Sequence, residues 1–177
     1  MFESNDTFVE EAVKSIETPA EKTKKMIFIA GTIIFFLATL VFSGVFKLIS
    51  AVLLIIFAIF TFIILGSKNI EFEYDYTNGS LEIAKIINNE KRKKIVSIES
   101  NEVKLVAAVG TNESLKYDHV ELKTYDCSAH DDTVKNYILV AHSEEKGDDF
   151  KVIFSPSDKL ITAMERYNKR DIYRGDN

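Results

Sequence analysis

Apolar residues are distributed in two regimes along this chain. Met26 to Phe46 is a run of 21 residues without a charge; Lys47 interrupts it, and Leu48 to Gly66 adds 19 more. A bilayer core about 30 Å thick needs roughly 20 apolar residues of helix, so each half is long enough to cross once. A soluble helical hairpin would need a polar face, and one charge in 41 residues does not supply it. Beyond residue 67 the pattern changes to short runs in which apolar and polar positions alternate.

The clearest alternation is Glu71-Phe72-Glu73-Tyr74-Asp75-Tyr76, with acids on one face of a strand and aromatics on the other. Asn78-Gly79 makes a two-residue hairpin turn in which both residues take positive φ. Leu81, Ile83 and Ile87 continue the apolar face in the return strand, Asn88 to Glu90 turns again, and strands follow over 91–99 and 103–109. A strand over 117–126 is expected after a polar loop, with Val120 and Leu122 inward; Ser128 to Thr133 is a loop. Further strands are predicted over 137–142 and around Phe150, Val152 and Phe154, joined by a turn at Lys146-Gly147-Asp148. A helix then starts with Ser155 as N-cap, Pro156 as first helical residue and Asp158 favouring the dipole. Leu160, Ile161, Met164 and Tyr167 form its apolar stripe, and 169–177 reads as frayed.

Upstream of the apolar run, 5–17 reads as a short amphipathic helix capped by Asn5 or Asp6. Phe8, Val9, Ala12, Val13 and Ile16 lie on one side, and Pro19 ends it. Its polar face carries Glu10, Glu11 and a single Lys, whereas membrane-surface helices favour basic faces, so docking on protein is the better expectation.

Within the apolar run, Gly31 and Ala38, and Ala51 and Ala58, put small residues on one face of each helix. Thr32, Thr39, Ser50 and Thr61 can bond back to their own helices or across the seam. Neither span contains an ionisable residue, and transport sites normally need one, so the hairpin reads as an anchor. Lys14, Lys22, Lys24 and Lys25 precede the spans and Lys68 follows them, against Lys47 alone in the connector; both termini are therefore expected in the cytoplasm. The first 25 residues hold six acids, and the apolar run is too long for a cleaved signal.

The net charge of −5 excludes the basic footprint of a nucleic-acid binder. The single cysteine, Cys127, excludes an internal disulfide. Lys91-Arg92-Lys93-Lys94 is the most pointed cluster, fit either to meet anionic headgroups or to guard a strand edge. Asp131, Asp132, Glu144, Glu145, Asp148 and Asp149 are expected at the opposite end of the domain. Cys127, His130, Asp131 and Asp132 have a metal-like spacing but too few N/S ligands, so no metal site is assigned. Gly79, Gly110 and Gly147 are separate turn glycines rather than a phosphate loop, and no cofactor or catalytic set emerges.

Seven consecutive antiparallel strands and a final amphipathic helix resemble a pleckstrin-homology-like (PH-like) barrel. The stretch Phe150 to Leu160 is similar to the last-strand-to-helix junction of bacterial members. The whole chain resembles small uncharacterised two-span membrane proteins of Gram-positive bacteria with a C-terminal domain of this kind. The resemblance implies scaffolding and binding, of lipid headgroups or of peptides. It also implies a long basic first hairpin loop in headgroup binders, where this chain has only Asn78-Gly79.

The sequence thus predicts a cytoplasmic segment over 1–25, a transmembrane hairpin over 26–66, and a cytoplasmic α+β, mainly antiparallel PH-like domain over 67–177. The expected function is non-enzymatic: a membrane-anchored scaffold that binds an unknown protein partner and no nucleic acid. The alternative is an anionic-lipid sensor using Lys22, Lys24, Lys25, Lys68, Lys91, Arg92, Lys93 and Lys94.

Overall fold

The computed structural model describes residues 6–66, 69–143 and 147–175. Two compact units emerge, and the boundary between them differs from the expected one. Residues 17–68 form one unit; residues 1–16 and 69–177 together form the other.

The first unit is a helical hairpin. Helix α1 (Pro19–Val41) begins well before the apolar run, because Thr18 and Glu21 form a capping box and Pro19 occupies the first turn. Pro19 therefore starts a helix where the sequence predicted that it would end one. Gly44, at positive φ, precedes α2 (Val45–Leu65). Both helices are long and apolar enough to cross a membrane, and their side chains face outward: Val41 is 80% and Phe62 83% exposed. The seam carries the polar contacts: Thr32 and Thr61 hydroxyls lie 2.9 Å apart, and Thr39 donates to Ser50 at 3.2 Å. Gly31 sits against the Phe57 ring so closely that a Cβ would fall 2.3 Å from it.

The second unit opens with a correction. Residues 8–15 are not a helix but strand β1 (Phe8–Ser15), which pairs antiparallel with β2 (Ile70–Thr77), from Phe8 opposite Thr77 to Ser15 opposite Ile70. The hairpin is thus inserted between the first two strands of the β domain, which is not confined to the C-terminal part of the chain. Strands β3 (Ser80–Ile87) and β4 (Lys91–Glu99) complete a sheet of order β1-β2-β3-β4. Asn78 (φ 49°) and Gly79 (φ 95°) turn β2 into β3 as the sequence predicted.

A second sheet has the order β6-β8-β7-β5-β9, from β5 (Val103–Ala108), β6 (Lys123–Cys127), β7 (Tyr137–His142), β8 (Asp149–Phe154) and β9 (Ile172–Tyr173). The domain is therefore two sheets of nine described strands rather than a closed seven-strand barrel. The pairing is mainly antiparallel, but β6–β8 and β5–β9 are parallel. The expected strand over 117–126 shrinks to β6, because residues upstream serve as a cover. Tyr117 and Leu122 pack on Leu105, Ala107, Ile138 and Val140, the outer face of this sheet, while Val120 is exposed. The short helix α3 (Asn112–Leu115) leads into that cover.

The inner faces of the two sheets share one core with the last helix, α4 (Asp158–Asn168). Its N-cap is Ser157, not Ser155, and Pro156 lies outside the helix. Ser155 is committed to the core, where its hydroxyl accepts from Ala129 N and its own N–H donates to the Tyr74 hydroxyl. Leu160, Ile161 and Met164 are buried, whereas Tyr167 is 42% exposed. The expected frayed tail instead returns as β9, and Arg174 pairs with Glu165. The predicted turn at Lys146-Gly147-Asp148 lies partly outside the described residues, as do Glu144 and Glu145.

Candidate functional site: an open strand edge beside the last helix

β1 is an edge strand, and two hydrogen bonds fix which of its backbone groups face outward. Asn78 N donates to Thr7 O, on the β2 side, and Ile16 N donates to Ala129 O, on the other side. In an antiparallel pair the backbone direction alternates with every residue. Val9, Glu11, Val13 and Ser15 therefore bond to β2, while Phe8, Glu10, Ala12 and Lys14 aim their N–H and C=O groups at the free edge. Among the described residues these four have no backbone partner across that edge.

Two hollows run along this edge, of about 380 and 350 Å³. Both are lined by Phe8 and Lys159. One continues toward α4 through Asp158, Thr162, Ala163 and Arg166, and the other along Glu10, Ala12 and Glu73. The strand is tied to α4 at its start and at its middle. Arg166 donates to the Thr7 hydroxyl at 3.2 Å, and the Ser157 hydroxyl and N–H both donate to the Glu11 carboxylate, tying β1 to the start of α4.

At the other end of β1, Ser15 Oγ lies 2.8 Å from His130 Nδ1, and His130 Nε2 lies 3.0 Å from Asp126 Oδ2. The residue types are those of a hydrolase triad, and three of the backbone donors around them are already engaged. Ile16 N goes to Ala129 O, Ser128 N to Asp126, and Ala129 N to Ser155. The three side chains link β1 to the β6–β7 loop. Burial pushes the Asp126 carboxyl up, but hydrogen bonds from Ser128 and His130 outweigh it and hold the group below its ordinary range.

The structure splits the expected basic cluster. Arg92 pairs with Glu73 at 2.7 Å and with Glu82 at 3.0 Å, and Lys94 pairs with Glu82 at 2.8 Å, all on the outer face of the first sheet. Lys91 and Lys93 alternate to the opposite face, Lys93 across from Lys85. Lys22, Lys24 and Lys25 lie in the first turns of α1, in the other compact unit, with Lys25 bonded to Glu17; Lys68 lies outside the described residues. The acids do not gather at one end. Asp131 and Asp132 belong to the loop before Tyr137, whereas Asp148 and Asp149 lie beyond His142, at the far end of β7, where Asp149 pairs with Lys104 and His142. Cys127, His130, Asp131 and Asp132 do not converge either. The Cys127 thiol is buried in the core, where desolvation pushes it up to about 12, and Asp131 bonds Thr133.

A family model for bacterial PH-like domains matches residues 5–174, a span that takes in β1, the helical hairpin and both sheets. The chain belongs to this family, DUF6106. No curated protein and no solved structure matches it. The match begins at residue 5, in agreement with a PH-like domain whose first strand precedes the hairpin. Sequence reasoning missed the open edge because it read β1 as a helix. The apolar residues Phe8, Val9, Ala12, Val13 and Ile16 fit a helical period, and the strand partner that decides, β2, lies beyond the hairpin.

Proposed function

We propose that this PH-like protein is a non-enzymatic, membrane-anchored binding module that recruits a protein partner by adding an extended segment to β1. The two apolar helices anchor it, and the Lys counts flanking them favour both termini in the cytoplasm. The observation that carries the reading is the unpaired edge from Phe8 to Lys14, flanked by the two hollows. Main-chain bonds along such an edge give affinity, and neighbouring pockets give selectivity. The edge of β4 is guarded by four successive basic residues, a device that blocks pairing; β1 carries one, Lys14. Anchoring raises the effective concentration of any partner in the same membrane. The test is Ala12→Pro in the full chain: the Ala12 N–H faces the free edge, so proline removes no bond to β2. Partner recovery by crosslinking from native membranes should be lost in this variant, and recovery at the wild-type level rejects the edge as the docking site.

A second reading, contact with anionic lipid, is favoured by the register. Ser15, Ile70, Ile87 and Lys91 stand in one row across the first sheet, and only residues 16–18 separate Ser15 from the start of α1. A fluorophore at position 91 should report contact with anionic but not zwitterionic nanodiscs, lost at high salt. Equal signals in the two lipids reject it.

A further inference from the structure

The charges beside β1 indicate which kind of segment the edge takes; this inference rests on the strand-addition reading above. Glu10 is the register partner of Asp75, and Asp75 of Glu82, so three carboxylates stand in one row across β1, β2 and β3 on the outer face. Like charges directly opposite each other destabilise a sheet. Glu82 is answered by Arg92 and Lys94, which hold its carboxyl below the ordinary range. Asp75 accepts from the Thr77 hydroxyl at 3.1 Å. Glu10 has no cationic partner among the described residues. The row ends, at the open edge, on a carboxylate one strand short of compensation.

The walls of the hollows carry both signs, acids outnumbering bases. Glu10, Glu11 and Asp158 line them with Lys159 and Arg166, and Glu73, also in the wall, is answered by Arg92. Two residues from Glu10 on the same face, Phe8 lines both hollows and is 58% exposed. Four residues from Glu10 in the other direction stands Lys14.

We propose that β1 takes an extended protein segment in which Lys or Arg stands two residues from a large apolar side chain, the cation opposite Glu10 and the apolar group opposite Phe8. Lys14 rejects a second cation at the far end, which fixes the register as well as the composition. Cytoplasmic flanks of membrane helices are rich in Lys and Arg, so another membrane protein is the natural source of such a segment.

The test pans a displayed library of random decapeptides against the full chain in zwitterionic nanodiscs. Enriched peptides should carry Lys or Arg two residues from Leu, Ile or Phe. They should bind about three- to tenfold more tightly than their Lys→Glu counterparts, the range expected from one cross-strand charge pair changing sign. Glu10→Lys should invert that preference, and Ala12→Pro should abolish capture. Enrichment without a cation, or a cation preference unchanged in Glu10→Lys, overturns this inference and leaves strand addition standing. Capture that survives Ala12→Pro, or a library that yields no specific binder, overturns both.

Discussion

Ser15 and Ile70 are register partners in one antiparallel pair, and the whole apolar hairpin is strung between them. The two strands that flank it in sequence lie about 5 Å apart. The β domain cannot be completed until both α1 and α2 have been synthesised.

It follows that residues 69–177 alone are an incomplete domain. They lack β1, expose the ladder groups of β2 and lose Val9 from the core. This fragment should give a poorly dispersed amide spectrum, and joining residues 6–16 to residue 69 through a short Gly-rich turn should restore dispersion. A cooperatively folded fragment without β1 would reject the split-domain assignment.

Tyr74 and Tyr76 are both buried on the inner face of β2 and should respond oppositely to loss of the hydroxyl. The Tyr74 hydroxyl donates to Cys127 O at 2.6 Å and accepts from Ser155 N at 3.1 Å, linking the two sheets. The Tyr76 hydroxyl has no partner among the described residues. Tyr74→Phe should cost about 1–3 kcal/mol in denaturant unfolding, because it orphans buried backbone groups, while Tyr76→Phe should be neutral or stabilising.

Stability should fall at both pH extremes, for different residues. Asp126 is held below its ordinary range by Ser128 and His130. Its contribution is therefore present above about pH 4, the unfolded value, and lost as pH falls through the depressed one. Cys127 is pushed up to about 12 by burial, so the folded state holds its proton after the unfolded chain, near 8.5, has released it. Stability should decline from about pH 9 upward. At pH 8 the thiol should resist a disulfide reagent until the domain is unfolded, and rapid labelling of the native protein would contradict its burial.

In the hairpin, the close approach of α1 and α2 depends on Gly31 facing Phe57. Gly31→Leu should separate the helices, and Phe57→Ala in the same chain should let them close again. Disulfide formation between cysteines placed at Thr32 and Thr61, whose hydroxyls are 2.9 Å apart, reads this directly. Crosslinking that persists in Gly31→Leu would show that the seam does not rely on the glycine.

What the sequence revealed follows from where pairing is local. The Asn78-Gly79 turn, the strict alternation of β2 and the apolar run each carry their signal within about ten residues. β1 does not: Phe8, Val9, Ala12, Val13 and Ile16 fit a helical period as well as a strand, and the partner that decides lies beyond the hairpin. Ser155 and Ser157 flank Pro156 as equal candidate caps, and only the core bonds of Ser155 separate them. β9 is two residues long and pairs in parallel with a distant strand, so no local pattern marks it. The open edge was illegible because it is a property of pairing, not of composition.

The most direct measurement is amide hydrogen exchange along β1 in the full chain in nanodiscs. Val9, Glu11 and Val13 should be protected by their bonds to β2, while Phe8, Glu10, Ala12 and Lys14 exchange rapidly from the open edge. Uniformly fast exchange over these residues would show that no strand is present, and uniform protection would show that the edge is already occupied.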